Sequence, residues 1–289
     1  VDAKIQSESS SKVRFAGIDM QVPEAALENL QKFADKQDSL WKEPLQVFRE
    51  TIKKFRNTPN LRQGPLPDAE AVQKRLEAAY SQLLQRIEVR KRFYLNYITL
   101  ADLSRLKQQL ALLNQFVRFE LLPMTEAVRY RDVCMAENLY WSSAHYGNAK
   151  TVLWAHNGHV SKYEIPFVMK PLGTYLKDTY KDKYVNIGFA FGEGMYQGID
   201  PDTRKITSLQ AEAASVGTYE YFFQSLNLPL SLLDLRKPQL SKETQWLYEV
   251  HNFRTIGAMR NGKEFTPMDL RQEFDLLLFI HKSTPAQGL

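Results

Sequence analysis

Two of the five histidines in the chain stand three residues apart in residues 150–162, KTVLWAHNGHVSK. His156 and His159 enclose Asn157 and Gly158, directly after the apolar run 151–155 (TVLWA). An imidazole takes up or releases a proton near neutral pH without a large pKa shift, so such a pair suits general acid–base work. Gly158 permits a tight turn or a close approach of backbone to a ligand. The apolar run reads as a strand, and in open α/β sheets ligands bind at the carboxyl ends of strands. Two other readings stand beside this one. The histidines can be structural, bonded to backbone, or they can be a metal pair, since His-x-x-His chelates zinc. A metal site needs at least one further ligand, and spacing identifies none.

A second segment is residues 131–139, RDVCMAENL, on a helix leading into that strand. Val128, Met135 and Leu139 mark its buried face by spacing, with Arg131, Asp132 and Asn138 on or beside that face. Buried polar groups of this kind need partners. They form either a structural network or part of a site. Cys134 has no cationic neighbour that would activate a thiolate and reads as a small buried side chain. Asp19 lies at the exit of an earlier strand, within possible reach of the same crevice. Gly192-Glu193-Gly194 reads as a loop after a strand but lacks the Gly-Lys-Ser/Thr of a phosphate-binding loop, so Glu193 is a minor candidate. His145, His251 and His281 default to surface or structural roles. The chain has no Gly-x-Ser-x-Gly elbow, which argues against a serine esterase of the α/β-hydrolase type.

These residues need elements to hold them. Residues 13–18 read as a short strand, after which Pro23 opens a helix. Residues 39–122 are helical: Val72, Leu76, Ala79, Leu83 and Ile87 keep helical spacing after Asp68 as a cap. Leu103, Leu106, Leu110, Leu113 and Val117 step by three and four, with Leu112 and Phe116 widening the stripe toward bundle packing. NLRQGPLP, residues 60–67, is a loop between helical units. After Pro123 the rhythm alternates: helix at 125–142, strand at 151–155, helix at 172–180, strand at 184–191, helix at 219–226, a possible strand at 230–233 and a buried strand at 274–280. Apolar strands alternating with helices imply a parallel sheet covered on both faces. The expected fold is α/β, a parallel-sheet core with flanking helices interrupted by a helical insertion. Residues 1–38 would supply the first strand and helix, 39–122 the insertion, and 123–289 the rest of the core.

Composition sets the outer bounds. The 289 residues are 44% hydrophobic and include 16 Phe, 14 Tyr and 4 Trp, which excludes a disordered chain. No apolar run approaches the roughly 18 residues of a membrane helix. One cysteine excludes an internal disulfide framework and a Cys-cluster zinc site. Residues 42–120 hold 15 Lys/Arg against 8 Asp/Glu, so the surplus behind the net charge of +5 lies in the helical segment. That surplus could attract an anion, but it lacks the interleaved aromatics of a single-strand binder, and no nucleic-acid partner is expected. The first residue is Val1 and no signal segment follows, so localisation is left open.

RDVCMAENLYW, KTVLWAHNGHVSK, Met169-Lys170-Pro171-Leu172-Gly173 and YVNIGFAFGEG, in that order, resemble the erythromycin esterase family. GIDMQ before the helical block and the closing FDLLLFIHKSTPA fit the same pattern, from about residue 13 to residue 286. The resemblance implies a parallel α/β core with a helical insertion and hydrolysis of the lactone ester of 14-membered macrolide antibiotics, hence antibiotic resistance. Some relatives carry a succinoglycan-biosynthesis label. It places His156 and His159 in the active site, with Arg131, Glu137 and Asn138 as supports. Asp19 and Asn157 join them as residues expected near the substrate. Family members also carry an upstream Gly-Glu-x-x-His segment, whose histidine is the favoured general base, and a further upstream glutamate. Neither occurs here, so the chain is expected to be a fragment, the alternative being descent from a protein that lost half its site.

The expectation from sequence is therefore a bacterial carboxylic ester hydrolase in which histidine-assisted water attacks an ester carbonyl. Its partner would be a small-molecule ester, with no organic cofactor and no metal. The alternative is a binding or polysaccharide-biosynthesis protein that keeps the fold without turnover.

Overall fold

The computed structural model describes residues 13–58, 68–165, 168–237, 241–259 and 262–286. The NLRQGPLP segment expected to be a loop lies outside them. The chain divides into two compact units, Val1–Val152 and Leu153–Leu289. The boundaries drawn from sequence at 38/39 and 122/123 fall inside the first.

The described part of the first unit is helical: α1 (Glu24–Gln37), α2 (Lys42–Asn57), α3 (Ala69–Tyr94), α4 (Leu100–Leu121) and α5 (Met124–His145). Pro23 stands just ahead of α1 as its cap residue. Thr99 and Asp102 close a reciprocal capping box at the start of α4, satisfying two amide donors that a helix start leaves open. Asp68 precedes α3 but does not cap it through its side chain; its carboxylate pairs with Lys54 at 2.8 Å instead. The stripes read from spacing are the buried ones: Val72, Leu76, Ala79, Leu83 and Ile87 on α3, and Leu103, Leu106, Leu110, Leu113, Phe116 and Val117 on α4. With Leu30, Trp41, Phe48 and Phe55 they form one apolar core. A polar chain is set into it: Trp41 Nε1 donates to Tyr94 Oη (3.0 Å), Tyr94 donates to Asp38 (2.5 Å), and Arg86 grips Asp38 at 2.8 and 3.1 Å. Burial and the adjoining Asp38 carboxylate push the Tyr94 phenol up to about 12.

The described part of the second unit carries α6 (Asn157–Val160), α7 (Leu172–Tyr180), α8 (Tyr219–Ser225) and α9 (Leu270–Glu273) with six strands. These are β1 (Ile187–Ile199), β2 (Ile206–Gln210), β3 (Leu230–Asp234), β4 (His251–Arg254), β5 (Phe265–Met268) and β6 (Leu276–Ser283). The main sheet runs β2-β1-β6-β3, and β4 and β5 form a separate antiparallel pair. β1 and β6 are parallel in the register Ile187↔Leu276 to Gly194↔Ser283, while β2 and β3 pair antiparallel on either side. The molecule is thus α/β with a helical subdomain, and its sheet is mixed.

Three expectations are corrected here. Residues 13–18 and 151–155 lie in no strand, because an apolar run becomes a strand only where another strand offers it a ladder. Gly192-Glu193-Gly194 lies inside β1, not in a loop after it. The sheet is also covered less evenly than expected. Leu277, Phe279 and Ala190 are buried against Phe223, Phe253 and Phe274, whereas Phe189, Leu230 and Leu232 on the other face are exposed.

Gly173, in the Met-Lys-Pro-Leu-Gly segment, marks a very close packing. A Cβ there would lie 2.2 Å from the Ser161 carbonyl oxygen and 2.3 Å from that of Val160, so α7 can meet the end of α6 only with glycine at this position. Gly173→Ala is expected to cost roughly 1–3 kcal/mol or more through overpacking against rigid backbone. Gly257→Ala, with open space around it, is expected to change stability by less than about 0.5 kcal/mol. Denaturant unfolding of both variants checks the contrast.

Candidate functional site

The His-Asn-Gly-His segment forms a single helical turn. His156 is the residue that caps α6, and its Nδ1 accepts the Gly158 amide hydrogen at 3.1 Å. Its Nε2 lies 2.6 Å from the carbonyl oxygen of Ile256. A nitrogen that accepts an N–H carries no proton of its own, so the proton sits on Nε2 and is donated to Ile256. His156 is therefore a neutral imidazole of assigned tautomer, exposed at its ring but engaged at both nitrogens. His159 follows one turn later, half-buried, its amide hydrogen-bonded to the His156 carbonyl at 2.9 Å.

Asn157 holds this turn to the sheet. Its side-chain nitrogen donates to the Phe189 carbonyl at 2.7 Å and its side-chain oxygen accepts the Phe189 amide at 3.0 Å. The carboxamide thereby takes the place that a paired strand would hold along β1. The segment after the turn is fixed as well: Ser161 Oγ donates to the buried Glu273, and Lys162 Nζ pairs with Asp275 at 2.7 Å. Asn186 bonds the Val160 and Glu273 carbonyls at 2.6 and 2.8 Å. The motif thus consists of one braced turn, in which Asn157 is an anchor.

The other expected residues lie in the helical unit, where Asn138 and Arg131 clamp the Gly17–Met20 segment. Asn138, buried in α5, donates to the Ile18 carbonyl at 2.7 Å and to Gln115 Oε1 at 3.0 Å, and accepts from Gln108 at 2.7 Å. Arg131 grips Asp19 with its Nη2 at 2.7 Å and its Nε at 3.2 Å. Glu137 is exposed, and one of its oxygens accepts from Gln115 at 3.4 Å. Asp132 is buried in the same helix, as are Met135 and Leu139, but Val128 is exposed although its neighbour Ala127 is buried. Cys134 is fully buried, and desolvation pushes its thiol up to about 12, which fits a packing role. Arg131 thus meets Asp19, and Asn138 holds the neighbouring Ile18 carbonyl, while His156, Asn157 and His159 share one turn. Among the described residues no group of three His, Cys, Asp or Glu side chains is placed to hold a metal ion, and no helix is long and apolar enough to cross a membrane.

One buried cluster was not read from the sequence. Arg254, at the end of β4, pairs through Nη1 with Glu264 and donates through Nη2 to the carbonyls of Gly192 (3.0 Å) and Glu212 (2.8 Å). Glu220 on α8 is fully buried and accepts the Arg254 backbone amide at 2.8 Å, while its second carboxyl oxygen has no partner. Desolvation raises its pKa to about 7. A signal existed: Glu220 interrupts the aromatic run Tyr219-Glu220-Tyr221-Phe222-Phe223, where a charge would be buried.

Two outcomes follow from these geometries. Asn138→Ala, which strands the Ile18 carbonyl and Gln115, is expected to cost about 1–3 kcal/mol. Arg131→Ala, which breaks a partly exposed pair, is expected to cost about 1 kcal/mol or less. Unfolding of the two variants under one condition checks the order. For Glu220 the folded pKa lies above the unfolded one, so its contribution to stability is fully present in acid and is lost as pH rises from about 4.5 to about 7. Glu220→Gln should remove up to roughly 3 kcal/mol of that fall and be the more stable protein at pH 8, which paired unfolding curves at pH 5 and pH 8 measure.

The comparisons with known proteins agree with this fold. A crystal structure of a Bacillus cereus protein is 25% identical with a TM-score of 0.77, covering 97% of this chain and 69% of that one. A crystal structure of a succinoglycan biosynthesis protein is 17% identical with a TM-score of 0.74, covering 98% and 68%. A mutant of the erythromycin esterase EreC, with asparagine in place of a histidine and in its open conformation, is 17% identical with a TM-score of 0.60, covering 99% and 71%. Among curated proteins no sequence matches. The sequence profile of the erythromycin esterases matches residues 4–283, nearly the whole chain, and the chain belongs to the erythromycin esterase family.

Proposed function

We propose that the protein is a carboxylic ester hydrolase of the erythromycin esterase type, with a lactone of the macrolide class as the leading substrate. The observation that carries this reading is the braced His156–His159 turn in a chain of this family. In the proposed reaction a histidine takes a proton from water as the oxygen attacks the ester carbonyl. The carbonyl π bond opens to an oxyanion, which collapses as the ring C–O bond breaks. The alkoxide leaves with the proton that the histidine returns, giving a carboxylic acid and an alcohol. His159 is the proposed proton carrier. His156 holds its proton on Nε2 and so enters as a donor to the developing oxyanion, exchanging the Ile256 carbonyl for the substrate oxygen. No step requires an organic cofactor. Macrolide resistance would be the consequence of ring opening.

A second reading is a binding or polysaccharide-assembly protein without turnover. The engagement of both His156 nitrogens favours it, and one similar structure is titled as a succinoglycan biosynthesis protein.

Incubation with 14-membered macrolides and simple aryl esters, followed by mass spectrometry, tests the first reading. Ring opening appears as the gain of one water. Replacing His156 or His159 by asparagine is expected to lower hydrolysis by about 10²–10⁴-fold with little effect on folding. Both variants retaining activity within about threefold of the parent would remove the pair from the mechanism. Saturable macrolide binding with no product at any time would support the second reading.

A further inference from the structure

His156 is oriented from one side by its own turn and from the other by a single backbone carbonyl. Its Nδ1 receives the Gly158 amide, and its Nε2–H goes to Ile256. Ile256 lies just beyond β4, in a stretch with no ladder of its own. Its carbonyl points where it does because the chain on either side is tied down.

On the far side, the Ala258 carbonyl accepts the Ile199 amide at 2.8 Å. On the near side stands Arg254, two residues before Ile256 and 5% exposed. Its guanidinium lies between the rings of Phe191 and Phe265, at 4.8 and 4.6 Å from their centroids. It pairs with Glu264 and holds the Gly192 and Glu212 carbonyls, while its own amide is held by Glu220. Thr255, the next residue, gives its amide to the Glu264 carbonyl at 2.6 Å. A buried guanidinium bound to one carboxylate and two carbonyls resists displacement, since any shift strands several polar groups in a dry interior.

We propose that Arg254 is a positioning residue for His156: with its partner Glu264 it fixes the Ile256 carbonyl, and through that carbonyl the tautomer and orientation of the His156 imidazole. A polar group that holds the second nitrogen decides which nitrogen of a histidine carries the proton. Arg254 does this at one remove, by placing the backbone that accepts the Nε2 proton. Lysine cannot substitute, because Glu264 and the two carbonyls are held by different guanidinium nitrogens, and a single ammonium cannot occupy both places.

The test reads the imidazole directly, by two-bond ¹⁵N–¹H correlation of the histidine rings. In the unaltered protein His156 should show the neutral Nε2–H pattern. A Nδ1–H pattern, or an average of the two tautomers, overturns the proposal without any variant being made. In Arg254→Met and in the milder Arg254→Lys, His156 should move to a mixture of tautomers, while His145 in the helical unit keeps its pattern. An unchanged His156 pattern in either variant, folded by circular dichroism, also overturns it. The catalytic consequence rests on the ester-hydrolase reading. If hydrolysis is found, Arg254→Lys should lower kcat by up to about 100-fold with KM little changed, as a misplaced reacting group does. An absence of hydrolysis counts against that reading alone, because the ring spectra stand independently of turnover.

Discussion

A strand that carries bare amides and carbonyls along one side must have them satisfied, and β1 meets part of that requirement with a side chain. The Asn157 carboxamide offers one acceptor and one donor in the spacing of a peptide group, and both engage Phe189. That bond pair draws the His-Asn-Gly-His turn onto the sheet. The capping of Gly158 by His156, the packing of α7 through Gly173 and the anchoring of Ser161 and Lys162 on α9 and the start of β6 all take their geometry from it.

The helical unit uses the same principle. The polar residues of α5 that stand beside its buried face are there because an irregular chain, Gly17–Met20, has backbone groups to satisfy. Asn138 takes the Ile18 carbonyl while bonding Gln108 and Gln115 on α4, and Arg131 closes on Asp19. Asn138 and Arg131 are thus hydrogen-bonded to partners within their own unit. Glu137 differs, since it is exposed and only weakly held.

The second unit also contains a buried cation facing more carboxylate than it can neutralise. Arg254 pairs with Glu264, leaving Glu220 with a backbone amide and an unpartnered oxygen. Desolvation then favours the protonated acid, which is why its pKa rises to about 7, whereas half-buried Asp234, gripped by Arg236, falls to about 2. The same carboxyl chemistry is shifted in opposite directions by the presence or absence of water and a cation.

The sequence by itself determined whatever depends on neighbours along the chain. The stripes of α3 and α4, the run of α7 and the closeness of His156, Asn157 and His159 follow from helical period and residue spacing. The family resemblance was legible for the same reason, since local motifs survive in order along the chain. Only the tertiary structure decided what depends on partners distant in sequence. Residues 13–18 and 151–155 are as apolar as strands but find no ladder, and β3 joins the sheet antiparallel. The proton of His156 sits on Nε2 because the Ile256 carbonyl, a hundred residues away, is there to accept it. Hydrogen-bond partners of this kind leave no period and no motif in a sequence. The pairing of strands, the tautomer of a histidine and the charge of a buried glutamate are therefore set only when the chain is folded.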